Sequence, residues 1–132
     1  MIRLLLLYLL TATILYGGLQ KPVTGENLSY IHILFEWDQE PDAINYNLQV
    51  SENSSFNSLI LDVEEQTTNY IATENFNWNS DYYWRVRPLY NDGSSGNWID
   101  LSAFSIQYQP ESSPLPDLNL DTSIITKNIV PI

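Results

Sequence analysis

Few side chains in this sequence have types and spacings that could do chemistry. Asp38, Glu40 and Asp42 alternate along a short stretch around Pro41 and could offer oxygen ligands to calcium. The stretch lacks the glycine and distal glutamate of a helix–loop–helix calcium site, and Pro41 stiffens it, so a solvated loop is expected. Glycosidase chemistry needs two carboxyls roughly 5 to 10 Å apart in a cleft, but 16 acids on a small surface produce such pairs by chance. Serines are plentiful, yet none sits in a Gly-x-Ser-x-Gly turn and His32 is the one available imidazole base. With no cysteine there is no thiolate nucleophile, no Cys-ligated zinc and no disulfide framework. No cofactor, metal or catalytic residue is expected.

One group stands apart. In Tyr82 to Arg87, inward-facing Tyr82, Trp84 and Val86 would leave Tyr83, Arg85 and Arg87 together on the opposite face of a strand. Asn47 and Gln49 would project from a neighbouring strand. Guanidinium groups pair bidentately with carboxylates and stack on aromatic rings, so these five residues are the candidate partner-binding patch. The bland alternative is that the arginines balance local acids and cover Tyr83, worth about 0.2–1 kcal/mol per exposed pair.

The elements that must position this patch can be read from the pattern. Ile31, Ile33, Phe35 and Trp37 alternate with other residues, as do Tyr46, Leu48 and Val50, and Tyr82, Trp84 and Val86. Period-2 alternation marks half-buried strands. His32 is out of phase with its neighbours and should point away from the core. Turn signals recur at Lys21-Pro22, Thr24 to Asn27, Asp38 to Asp42, Ser51 to Ser55, Glu64 to Gln66, Trp78 to Asp81 and Asn91 to Gly96. Short strands separated by turns predict an antiparallel sandwich, since each sheet has one apolar face to bury against the other.

Composition agrees and narrows the partners. The chain has 132 residues, room for one domain; 44% are hydrophobic and 16% charged, enough apolar material for a packed core. Five basic against 16 acidic residues give a net charge of -11. So few cations cannot build the basic stripe that counterion release from phosphates requires, so nucleic acid is excluded as a partner.

The ends differ from the middle. Met1-Ile2-Arg3 precedes thirteen uncharged residues, Leu4 to Tyr16, and then Gly17-Gly18. A helix of that length would span about 20 Å, short of the roughly 30 Å bilayer core, so a signal peptide over residues 1–18 is expected rather than an anchor. The membrane is then met only in transit, and the protein is exported, to the cell surface, periplasm or medium. Losing residues 1–18 removes Arg3 and no acid, which leaves 4 basic and 16 acidic groups, a charge of -12. From residue 109 onward, Pro110, Pro114, Pro116 and Pro131 mark a linker or tail over 109–132, or the start of a further domain, because proline cannot donate to a strand ladder.

Between these ends, residues 19–108 resemble a fibronectin type III domain of the kind found in exported bacterial multidomain proteins. The resemblance rests on Phe35-Glu36-Trp37, Tyr46 to Ser51 and Tyr82 to Arg87, followed by Asn91-Asp92-Gly93, Trp98 and Phe104. Tyr82 follows Phe76 by six residues, the spacing of the family's tyrosine corner, in which the ring packs inward and the hydroxyl reaches backbone. It implies an immunoglobulin-like β-sandwich of about seven strands with Trp37, Tyr46, Leu48, Val50, Tyr82, Trp84 and Val86 in its core. It implies no catalysis. Integrin recognition through Arg-Gly-Asp does not carry over, because the corresponding loop reads Tyr90-Asn91-Asp92-Gly93-Ser94; nor do the paired Trp-Ser repeats of cytokine receptors, since Ile99-Asp100 follows Trp98.

The expected function is a spacer or a protein- or ligand-recognition module of an exported protein, with other protein domains or surface glycans as partners. One alternative is an accessory domain of an exported hydrolase or transferase whose catalytic residues lie beyond Ile132. Another is carbohydrate binding through exposed Trp78, Tyr83 and Tyr90.

Overall fold

The computed structural model describes residues 18–110; the leader expected at 1–18 and the tail expected at 109–132 fall almost wholly outside them. The strands are β1 (Leu19–Lys21), β2 (Glu26–Leu28), β3 (Ile33–Trp37), β4 (Ala43–Ser51), β5 (Leu59–Glu65), β6 (Asn69–Ala72), β7 (Ser80–Tyr90) and β8 (Ile99–Ile106). They form a three-stranded sheet, β1-β3-β6, and a five-stranded sheet, β2-β8-β7-β4-β5. The sandwich is therefore observed, as alternating sequence required.

The count exceeds seven because the N-terminal strand is divided. β1 pairs with β3, whereas β2 pairs in parallel with β8 on the other sheet. Pro22, which has no N–H to give a ladder, marks the crossing. Its carbonyl is not wasted: it accepts hydrogen bonds from Trp84 Nε1 and Ser102 Oγ, each at 3.2 Å.

All seven expected core residues are buried. Phe35 from the smaller sheet fills the centre, with its ring centroid 5.2 Å from that of Trp84 and 5.9 Å from that of Phe104. These rings meet edge to face, the arrangement favoured by the aromatic quadrupole. His32 is exposed, in keeping with its phase.

The corner predicted around Tyr82 is present. Its ring lies against Phe76 at 4.9 Å, and its hydroxyl accepts the Asn77 N–H at 2.9 Å. A second tyrosine does similar work on the adjacent strand, where the Tyr46 hydroxyl accepts the Glu40 N–H at 2.9 Å. Tyr82→Phe keeps the packing and deletes the acceptor, so a loss of about 1 kcal/mol is expected. Urea denaturation checks it: an unchanged midpoint would mean that the hydroxyl does not anchor the turn.

Candidate functional site

The Tyr83–Arg85–Arg87 face was expected to be solvent-facing, and the structure revises this. Asn47 stands opposite Arg87 and Gln49 opposite Arg85 in the β4–β7 pairing, on the outer side of the five-stranded sheet. Despite that position, Asn47 is only 6% exposed and Gln49 9%. They are covered because their amides are held on both sides. Gln49 Oε1 accepts from Arg85 Nε at 3.0 Å and Nη2 at 2.7 Å, and Asn47 Oδ1 accepts from Arg87 Nε at 3.2 Å. On the other flank, Asn47 Nδ2 donates to Asp62 Oδ1 at 2.7 Å and Gln49 Nε2 to Asp62 Oδ2 at 3.2 Å. Three strands are thus laced by one ladder in which carboxylate, amides and guanidiniums alternate.

Aromatic rings cap the ladder, and they are not the ring that was expected. The Arg85 guanidinium carbon lies 4.0 Å from the Phe56 centroid and 3.9 Å from that of Trp98, and Arg87 lies 4.6 Å from Trp98. Among the described residues, no hydrogen bond or cation–π contact ties Tyr83 to the arginines; it pairs across the sheet with Ser51 and Ala103. The expectation that the arginines cover Tyr83 is therefore corrected: they lie beneath Trp98.

A bulge prepares the space around Arg85. Pairing between β7 and β8 passes from Trp84↔Ser102 to Val86↔Ile99, so Arg85 lies opposite two residues, Asp100 and Leu101. An extra residue of this kind bends the strand and redirects side chains. Alternation alone could not reveal it. Burial lowers the Arg85 pKa, the neighbouring charge of Arg87 lowers it further, and Asp62 raises it. The group stays protonated at neutral pH, as a guanidinium does.

The hairpin carrying Trp98 is shaped by its own turn. Gly93 has φ of 83°, a conformation glycine adopts without steric cost, and its N–H donates to the Tyr90 carbonyl at 3.0 Å. Asp92 Oδ1 accepts from Ser94 Oγ at 2.6 Å and Ser94 N at 2.9 Å. The Ser94 side chain, then its backbone N–H, holds the Asp92 carboxyl below its ordinary value.

The other candidates are dispersed. The acidic loop does not gather ligands: Asp38 Oδ2 accepts from the Gly18 N–H and Gln20 Nε2, both at 2.8 Å, and among the described residues no cluster of three or more potential ligands could hold a metal. Of the three rings considered for sugar binding, Trp78 is exposed and lies edge-on to Tyr108 at 5.6 Å, but Tyr83 and Tyr90 are half-buried.

No family model and no curated protein matches the sequence. Solved structures do resemble it in three dimensions. A Fn3-like protein from Clostridium thermocellum shares 22% identity and a TM-score of 0.53, over 70% of this chain and 92% of that one. The fibronectin type-III domain of human fibronectin type III domain containing protein 3 shares 14% identity and a TM-score of 0.52, over 74% and 90%. The chain has the fibronectin type III fold. A third match is to the Streptomyces avermitilis alpha-L-rhamnosidase complexed with L-rhamnose, at 16% identity and a TM-score of 0.52, over 70% of this chain and 10% of that one. On this fibronectin type III scaffold, the laced outer face of the larger sheet combines fixed charge, amides and a ring, with concave surface on either side of Trp98.

Proposed function

We propose that this fibronectin type III-like domain is a non-catalytic recognition module of an exported protein, with the Arg85–Arg87–Trp98 face as its contact surface. The observation that carries this reading is the pre-organisation of that face. Two guanidiniums are held by amides and stacked against Trp98, so a partner meeting them need not immobilise flexible side chains, a cost of about 0.5–1.5 kcal/mol for each one. A plain spacer needs only a satisfied surface. The partner is another protein domain or a surface glycan. Export is supported by the basic start and the apolar run from Leu4 to Tyr16.

Two measurements test the reading. N-terminal sequencing of exported material is expected to begin near Leu19, and a chain that still carries Met1 would overturn export. Amide shifts followed while the neighbouring domain of the parent protein is added should move at Gln49, Arg85, Arg87 and Trp98. Shifts confined to other surfaces would overturn the assignment of this face.

A second reading, an accessory domain of a longer exported enzyme, is favoured by one comparison: a domain of this shape occupies a tenth of the Streptomyces rhamnosidase. Under it the chemistry belongs to residues elsewhere in the parent protein, and the module positions them.

A further inference from the structure

We propose that the Arg85–Arg87–Trp98 face docks an extended acidic segment of a protein partner, whose carboxylates meet the free edges of the two guanidiniums. This deepens the recognition reading above and rests on it.

The two arginines are oriented but not neutralised. Among the described residues the ion pair present joins Lys21 Nζ to Glu36 Oε2 at 3.7 Å. Neither Arg85 nor Arg87 has a carboxylate in contact, in a chain with 16 acidic groups. Their acceptors are neutral amide oxygens, Gln49 Oε1 for Arg85 and Asn47 Oδ1 for Arg87. Asp62 joins the ladder only through those amides, which donate to its two oxygens. A guanidinium set directly on a carboxylate forms two parallel charge-assisted bonds, and here that place is left open on both arginines.

The donors locate the open positions. A guanidinium carries N–H groups on three nitrogens and no acceptor. Arg85 uses Nε and Nη2, and Arg87 uses Nε, so among the described residues Nη1 of Arg85 and both terminal nitrogens of Arg87 make no hydrogen bond. Rings take the flat sides: Phe56 and Trp98 lie against Arg85, and Trp98 against Arg87. A newcomer therefore meets edges. Both arginines are half-buried rather than sealed, and a concave surface of about 190 Å³, lined by Phe56, Arg85, Trp98 and Leu101 among others, opens beside Arg85.

Charge and spacing select the partner. Arg85 also feels the like charge of Arg87, which an anion across both edges would offset and a cation would worsen. Aromatic partners find the flat sides taken. Exposed Asp100 lies on the margin of the concave surface and disfavours ligands of high charge density, so a singly charged carboxylate is preferred to a phosphate. Arg85 and Arg87 stand two residues apart on one strand, about 6.5–7 Å, the repeat at which an extended polypeptide presents alternate side chains on one face.

The test titrates the full chain with a capped hexapeptide alternating glutamate and threonine, followed by calorimetry and by NMR of the arginine side-chain N–H groups. Saturable binding with shifts at Arg85 and Arg87 is expected, and the same peptide with glutamine or lysine in place of glutamate should bind at least tenfold more weakly. Arg87→Gln should weaken the acidic peptide at least fivefold. Asp100→Asn, which removes the competing carboxylate and leaves the ladder intact, should tighten it about twofold, so a gain as well as a loss is read. If Arg87→Gln fails to fold, Asp100→Asn still decides. No saturable binding of the acidic peptide, equal binding of the glutamine peptide, undiminished binding by Arg87→Gln, no gain from Asp100→Asn, or tighter binding of trigalacturonate or inorganic phosphate would each overturn the proposal. Should the acidic peptide fail while a neighbouring domain still shifts the Arg85–Trp98 face, the acidic segment falls and the recognition reading stands. Failure of both measurements removes both.

Discussion

Trp84→Ala is expected to leave the domain largely unfolded at modest temperature, whereas Trp78→Ala should cost clearly less. Trp84 is fully buried at the centre of the larger sheet, packs against Phe35 and donates its indole N–H to the Pro22 carbonyl. Truncating a buried tryptophan costs about 3–5 kcal/mol through lost transfer energy and the cavity left behind. The Pro22 carbonyl keeps only the Ser102 hydroxyl as a donor, which places the expected loss toward the upper end. A domain of this size has about 5–15 kcal/mol in total. Trp78 is 39% exposed and touches Tyr108, itself 61% exposed, so its removal forfeits less buried area than that of Trp84 and leaves no enclosed cavity. Thermal denaturation of the two variants separates them, and equal melting temperatures would show that strand β7 is out of phase.

The second large effect is expected at Arg85. Arg85→Ala should cost about 2 kcal/mol, and Arg87→Ala about 1 kcal/mol. Hydrogen bonds to charged groups contribute about 1.5–3 kcal/mol and partly exposed cation–π contacts about 0.5–1 kcal/mol; residual exposure of the guanidinium reduces the sum. Arg85 makes two short bonds to Gln49 and stacks between Phe56 and Trp98, while Arg87 makes one longer bond and one longer stack. Removing Arg85 also strips a nearly buried Gln49 carbonyl of both donors. Arg85→Lys should recover less than half of the loss, because an ammonium keeps the charge but lacks the planar fork. Urea denaturation of the three variants is the measurement. Equal costs for Arg85→Ala and Arg87→Ala would mean that the ladder is not what stabilises this face, and full rescue by lysine would mean that charge alone matters.

The cost at Arg85 exceeds the roughly 0.2–1 kcal/mol expected for exposed pairs because the environment differs from the one read in the sequence. Alternation placed Arg85, Arg87, Asn47 and Gln49 on a common face correctly, since successive side chains of a strand must point to opposite sides. It could not show that the face is covered. Asp62 arrives from β5, Phe56 from the turn before β5, and Trp98 from the far side of a hairpin. None of these is near Arg85 in sequence, and no local pattern encodes their convergence. The β8 bulge opposite Arg85 is invisible for the same reason: an extra residue in one strand is defined only by its partner.

Local physical rules already determine much from the sequence alone. Period-2 apolar runs with turn residues between them leave a two-layer β architecture as the way to bury Trp37, Leu48, Trp84 and their neighbours, and the spacing of Phe76 and Tyr82 anticipates a corner whose hydroxyl the Asn77 N–H does find. Five basic residues against 16 acidic ones set the expectation of a partner that is not rich in phosphate. Tertiary structure alone decided how β1 and β2 divide between the sheets, and that Trp98 and not Tyr83 caps the arginines. The first set depends on backbone geometry and the burial of apolar area, which act residue by residue along the chain. The second depends on strand register and on contacts between residues far apart in sequence, which exist only once the two sheets have closed.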